Sequence, residues 1–241
     1  NMNVIDLIVA CAKVPSFSSY EERIHPLIRK IVAKVPGVQT IVVPRNNLIL
    51  YVPGKRQAPP VAITAHIDKI DHFSPNVPDE LPVSVIGGRI IGQMDDTAGV
   101  GIALHLMFRS REQNFPPLYI FLSEMEEGTG IRKTPDLLRN NGIGYKSGMG
   151  ARNIAQFLLD EKYELPHSIL TIDTSPKFMG NPGIAIYNKF WHRDLKFKAS
   201  ESLQEMTDDI VSFLQNQEDD ILIINAYNDY IDYGLTLNTK Q

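Results

Sequence analysis

One histidine and three acidic stretches carry the chemistry this chain can do. Val61-Ala-Ile-Thr-Ala-His66-Ile-Asp68 opens with five small or β-branched residues, the pattern of a buried strand, and ends in a histidine with an aspartate two places on. In extended chain, residues i and i+2 point to the same side, so His66 and Asp68 can converge on one spot. A neutral imidazole is a good zinc ligand, and a nearby carboxylate fixes its tautomer and orientation. Two more apolar runs, Leu118 to Leu122 and Ser168 to Ile172, lead into Ser123-Glu124-Met125-Glu126-Glu127-Gly128 and into Asp173-Thr174-Ser175-Pro176. Between the His66 run and the Leu118 run lies Asp95-Asp96-Thr97-Ala98-Gly99, which opens a helical pattern.

Each motif has a plainer use. Asp95 and Asp96 suit helix caps, the three glutamates a solvated loop, and Asp173 the start of a turn. Repetition favours the sharper reading. In an open α/β sheet the carboxyl ends of the strands line one crevice, and acids delivered there by several strands repel one another unless a cation is present. Asp96 then serves as the cap, while His66, Asp95, Glu127 and Asp173 offer nitrogen and oxygen ligands suited to zinc, manganese or cobalt. A carboxylate bridging two ions holds them roughly 3.5–4 Å apart, and such a pair activates water and polarises a carbonyl. A further carboxylate must carry the proton to the leaving amine, and Glu126, beside a ligand, is placed to do so. Other designs fare worse: there is no Gly-x-Ser-x-Gly elbow and no His-Glu-x-x-His helix, and the one cysteine, Cys11, sits in a core-like helical pattern.

The elements that must position these residues follow from the rest of the chain. Its 241 residues suffice for one catalytic domain, and 43% hydrophobic with 22% charged residues is an ordinary globular balance. Lys and Arg total 24 against 28 Asp and Glu, so no basic excess points to nucleic acid. No apolar run approaches the roughly 20 residues of a membrane helix, no secretory signal is visible, and a cytoplasmic location is expected. Residues 3–14 read as a helix stopped by Pro15. A second helix, capped by Ser18 with Glu21 or Ser19 with Glu22, is expected to run to about Val35 with a kink at Pro26. Val38 to Val43 and Leu48 to Val52 read as an antiparallel pair, and Val83 to Ile91 as a hairpin broken at Gly87-Gly88. Helices are expected over 98–110, 151–161 and 202–216, and strands over Gly183 to Tyr187 and Ile221 to Asn225. This alternation predicts a three-layer α/β/α fold with a mostly parallel central sheet. His72, in the proline-rich loop after Asp68, is read first as a solvated residue. Gly142-Ile-Gly144-Tyr-Lys-Ser147-Gly148 follows a helical pattern rather than a strand, so it is not a nucleotide loop.

Taken in order, His66-Ile-Asp68, Asp95-Asp96-Thr-Ala-Gly99, Glu126-Glu127-Gly128 and Asp173 resemble the motifs of the co-catalytic di-zinc peptidases and deacylases, such as glutamyl aminopeptidases, peptidase T and the aminoacylases. Val14-Pro15-Ser16 with Glu21-Glu22, and Asn46-Asn47-Leu48, resemble that family's opening segments. The resemblance implies that Asp95 bridges two metals, His66 and Asp173 complete one, and Glu127 binds the other. It makes Glu126 the general base and acid and Asp68 the residue that orients His66. It also implies a histidine near the C-terminus, after Asn225-Ala-Tyr-Asn-Asp229-Tyr-Ile-Asp232. Only His192 follows Asp173, and it comes too soon. The expectation is a further C-terminal segment carrying that ligand; Asp229 or Asp232 would be the substitutes. The stretches between Asp68 and Asp95 and after Asp173 are too short for a full lid or dimerisation insertion. The implied activity is metal-dependent hydrolysis of amide bonds in small peptides, with acyl-amino acids or a non-catalytic binding domain as alternatives, and assembly into a homo-oligomer is left open.

Overall fold

A computed structural model describes residues 2–70, 77–174, 183–189, 201–216, 221–227, 233 and 237. They fall into two compact units, Asn1–Thr174 and Ser175–Gln241. In chain order the first unit holds α1 (Val4–Ala12), α2 (His25–Val32), β1 (Gln39–Val43), β2 (Asn47–Val52), β3 (Val61–His66), β4 (Ser84–Ile86), β5 (Arg89–Ile91), α3 (Thr97–Glu112), β6 (Leu118–Ser123), α4 (Thr129–Lys133), α5 (Met149–Asp160) and β7 (Ile169–Thr171). The second unit holds β8 (Ile184–Lys189), α6 (Glu201–Gln215) and β9 (Ile221–Tyr227), with β8 and β9 paired in parallel as a two-stranded sheet.

The first unit is built on a five-stranded sheet in the order β1-β2-β6-β3-β7. β6, β3 and β7 run parallel, and β2 is antiparallel to both β1 and β6. Four strands therefore share a direction and only β2 opposes them, so the α/β sheet the sequence predicts is present but mixed, with two parallel and two antiparallel pairings. β4 and β5 form the expected hairpin apart from it. Alternation sorts the strand residues. Leu48, Leu50, Ile63, Ala65, Leu118, Ile120 and Leu122 face a core with Leu7 and Cys11 of α1, Ile28 and Ile31 of α2, and Val100, Leu104 and Met107 of α3. The intervening residues turn the other way, where α5 lies against β1, β2 and β6 and Tyr119 stacks on Phe121 and meets Tyr51 at a tilt. Helices thus cover both faces.

Local chemistry sets the helix ends. Asn3 caps α1 by accepting from the amide of Asp6 at 2.8 Å. α1 and α3 approach so closely at Gly101 that a methyl group there would stand 2.9 Å from the Ile8 backbone. Pro26 sits in the first turn of α2, where its missing N–H is not needed. The expected kink is therefore absent. A 3₁₀ turn, Glu21–Ile24, precedes α2, which ends at Val32 rather than Val35. Neither expected capping box forms: Ser18 donates to Asp68, Ser19 Oγ and Glu22 meet Arg139, and Glu21 holds the amides of Ser19 and Met125. Among the described residues no helix is long and apolar enough to cross a membrane.

Lys69, just past the end of β3, is only 2% exposed. Its Nζ donates to Ser16 Oγ at 2.8 Å and to the Cys11 carbonyl at 3.4 Å. Burial lowers its pKa to about 8. The unfolded chain keeps this proton up to about pH 10.4. Between those values the unfolded state binds more protons, so stability rises with pH through that window. Lys69→Met is expected to abolish this rise. Paired urea titrations from pH 7.5 to 10.5 should show wild type gaining up to about 3 kcal/mol on the variant; parallel slopes would contradict a strained ammonium.

Candidate metal centre

Sheet direction brings the predicted residues to one edge. β3 and β6 are parallel with His66 opposite Ser123, and β7 continues the parallel set on the other side of β3. The C-terminal end of β3 supplies His66 and Asp68, that of β6 the 124–127 loop, and that of β7, two residues on, Asp173. Asp95 arrives from the N-terminus of α3. There Asp96 is the cap, its Oδ1 accepting from the amide of Gly99 at 3.0 Å, as the sequence expects. The Asp95–Asp96 peptide is cis, which nothing in the sequence announced.

The buried imidazole of His66 is the hub. Its Nε2 lies 3.1 Å from Asp95 Oδ1 and 3.9 Å from both Glu126 Oε2 and Asp173 Oδ1. Its Nδ1 faces Asp68, with the Oδ1 and the carbonyl each at 3.2 Å. Two sets of side chains each bring candidate ligand atoms within 4.8 Å of one another: His66, Asp95 and Asp173, and His66, Glu126 and Glu127. Asp68 is fully buried and takes no place in either set. Its Oδ2 accepts from Ser18 Oγ at 2.9 Å and the amide of Glu127 at 3.1 Å, and its Oδ1 from the amide of Glu126 at 3.1 Å.

The loop bearing Glu126 and Glu127 is not extended strand. β6 ends at Ser123, and Met125 has φ of 53° in the left-handed region. Four successive amides donate to side chains from elsewhere in the chain. Those of Glu124 and Met125 bond to Asn47 Oδ1 at 2.9 Å and Glu21 Oε1 at 3.2 Å, and those of Glu126 and Glu127 to Asp68. On the carbonyl side, Gly148 N donates to Met125 O and Ser147 Oγ to Glu126 O, each at 2.7 Å. Glu124 faces inward, where Asn47 Nδ2 at 3.0 Å and Arg45 Nε at 3.4 Å meet its Oε1. Glu124 is thus a structural acid, and the other two glutamates of the motif face His66.

Crowding shows in the acidities. Burial, reinforced by the charges of Asp68, Asp173 and Asp95, pushes Glu126 up to about 7 against the pull of His66. Burial and Asp95 push Glu127 up to about 8. Burial and Asp95 push Asp173 to about 6. Burial works against Asp68 and Asp95 too, but hydrogen bonds and charge from His66 hold both below the usual carboxylate range. Burial likewise opposes a charge on His66, yet its bonds to Asp68 and Asp95 raise it well above the ordinary imidazole value. Acids that repel one another this way gain by sharing a cation. The donor set, one imidazole nitrogen and several carboxylates, fits zinc, manganese or cobalt.

His66, Asp68, Asp95, Glu126, Glu127 and Asp173 are therefore brought together. His72, His192, Asp229 and Asp232 lie outside the described residues. The sequence reading missed the supporting side chains. Ser18, Glu21, Asn46 and Asn47 stood out only as cap or family-like segments, Ser147 only within a rejected nucleotide loop, and Asn153, whose Nδ2 donates to Glu124 Oε1 at 3.4 Å, not at all.

No family model and no curated protein matches the chain. Solved structures do. The Pyrococcus horikoshii TET1 peptidase, described as assembling into a tetrahedron or a large octahedral shell, aligns at TM-score 0.55 and 14% identity over 92% of this chain and 84% of its own. Legionella LapA aligns at 0.58 and 12% identity over 97% of this chain and 58% of its own. Aminoacylhistidine dipeptidase from Vibrio alginolyticus aligns at 0.52 and 14% identity over 77% of this chain. The chain spans 34% of that dipeptidase's length, and 40% of a Staphylococcus aureus tripeptidase. At such identities the likeness is one of fold: the chain folds as the TET1 peptidase and the aminoacylhistidine dipeptidase do.

Proposed function

We propose that this chain is a metal-dependent hydrolase of amide bonds, an aminopeptidase in type, acting on small peptides. The observation that carries the reading is the surround of His66. One imidazole nitrogen faces three carboxylates at 3.1–3.9 Å, and the other is held by a buried aspartate. In this reading His66, Asp95 and Asp173 hold one ion, and Asp95 with Glu127 holds a second. Bound there, two divalent ions supply Lewis acidity to polarise a carbonyl and lower the pKa of water.

The protein's own groups do the rest. Asp68 accepts from His66 Nδ1, which would keep the proton on that nitrogen and leave the Nε2 lone pair for an ion once one is bound. Glu126 takes a proton from the attacking water on its carboxylate and returns it to the leaving amine nitrogen. Asp68 also fixes the backbone at Glu126 and Glu127, so one carboxylate orients both the histidine and the proton carrier. Homo-oligomeric assembly, as described for TET1, is part of the proposal.

The test is metal content with turnover. Protein purified without chelator is expected to hold about two transition-metal ions per chain, and to release amino acids from amino-acid amides faster than it deacylates N-acyl amino acids. Chelation should abolish turnover, and zinc or manganese should restore it. Preference for N-acyl substrates would make it a deacylase. No bound metal, even after both are added back, would overturn the proposal in favour of a binding domain.

A further inference from the structure

Glu21 is fully buried, lies 104 residues before Met125, one of its two main-chain partners, and is used by no step above. Its Oε1 accepts from the amides of Ser19 at 2.9 Å and Met125 at 3.2 Å, and its Oε2 from Asn46 Nδ2 at 2.8 Å. A buried carboxylate is costly, and a merely space-filling role is met as well by an apolar side chain. This one ties three segments together: the 16–21 stretch, the turn at 44–47 and the loop at 124–127. The turn is itself fastened to that loop, because the amide of Asn46 donates to Glu124 Oε2 at 3.3 Å. The amide that Glu21 holds belongs to Met125, the left-handed residue immediately before Glu126. That conformation is unfavourable for a side-chain-bearing residue and persists only when its surroundings impose it.

We infer that Glu21 is a positioning residue for Glu126: its carboxylate sets the left-handed turn at Met125 and so the direction in which Glu126 leaves the loop. The inference rests on the reading of Glu126 as the proton carrier. Two conservative variants separate reach from charge. Glu21→Gln keeps the length and an acceptor oxygen for both amides, and its amide can pair with Asn46 once the Asn46 side chain turns over. Glu21→Asp keeps the charge but falls a methylene short of Met125.

Each variant is to be purified, brought to the wild-type metal content, and assayed on the amino-acid amide that wild type cleaves best. Hydrogen exchange of the 125–127 amides is followed in parallel. Glu21→Gln is expected to keep kcat within about threefold. Glu21→Asp should lose about 100-fold in kcat, the scale of a displacement near 1 Å, with KM within about twofold. Exchange at 125–127 should quicken by about tenfold or more in the Asp variant alone. Wild-type kcat and exchange in Glu21→Asp would overturn the inference, as would an equal loss in both variants. Should wild type cleave no substrate, the functional reading fails separately, and the exchange rates alone decide the role of Glu21.

Discussion

Replacing Glu126 by glutamine is expected to cut peptide turnover by about 10²–10⁴-fold, the range for a lost general acid–base group, with bound metal unchanged. The shape survives, because the backbone amide of Glu126, not its side chain, is what Asp68 holds. What disappears is the ability to accept a proton from water. The side chain is partly exposed, at 21%, so the swap leaves no orphaned buried partner and the melting temperature should stay close to wild type. Metal analysis, kcat and thermal melts on one preparation would check all three. Full activity in this variant would remove Glu126 from the mechanism, and loss of metal would recast it as a ligand.

Asp95→Asn should act the other way, on binding before turnover. Asp95 is the nearest acid to His66 Nε2, and its charge raises both Glu127 and Asp173. As the residue proposed to bridge both ions, it should take metal content from about two per chain to one or none. The loss of affinity should exceed the 10–100-fold typical of outer partners. The metal-free variant should be less stable than metal-free wild type near neutral pH, since His66 holds Asp95 below the usual carboxylate range and that attraction is lost with the charge. Titrating zinc into both proteins, with unfolding curves in chelator, separates these effects. Two ions still bound at wild-type affinity would refute the bridging role.

The strands were legible because their apolar runs are short, β-branched and bounded by turn residues, and the acids at their ends marked the crevice. The choice between Asp95 and Asp96 was legible too, since a cap must sit just before the helix. The support around the site was not. Ser18-x-x-Glu21 matches a capping box as well as any local pattern does, but Ser18 donates to Asp68 and Glu21 accepts from Met125. A local pattern holds no information about partners that far along the chain. Pro26 misled for the same kind of reason. Its effect depends on whether it falls in the first turn or the interior, and the 3₁₀ turn before it decides that. The left-handed Met125 had no residue signal, being neither glycine nor asparagine.

The two amides that grip Asp68 lie 58 and 59 residues downstream of it. A ribosome adding roughly 5–20 residues per second therefore needs about 3 to 12 seconds to make them after it has made Asp68. Through that interval the chain carries His66 and Asp68 without the two amides that hold the aspartate. The acids can converge only once β6 and β7 have both been made, since Glu126 and Glu127 follow the first and Asp173 the second.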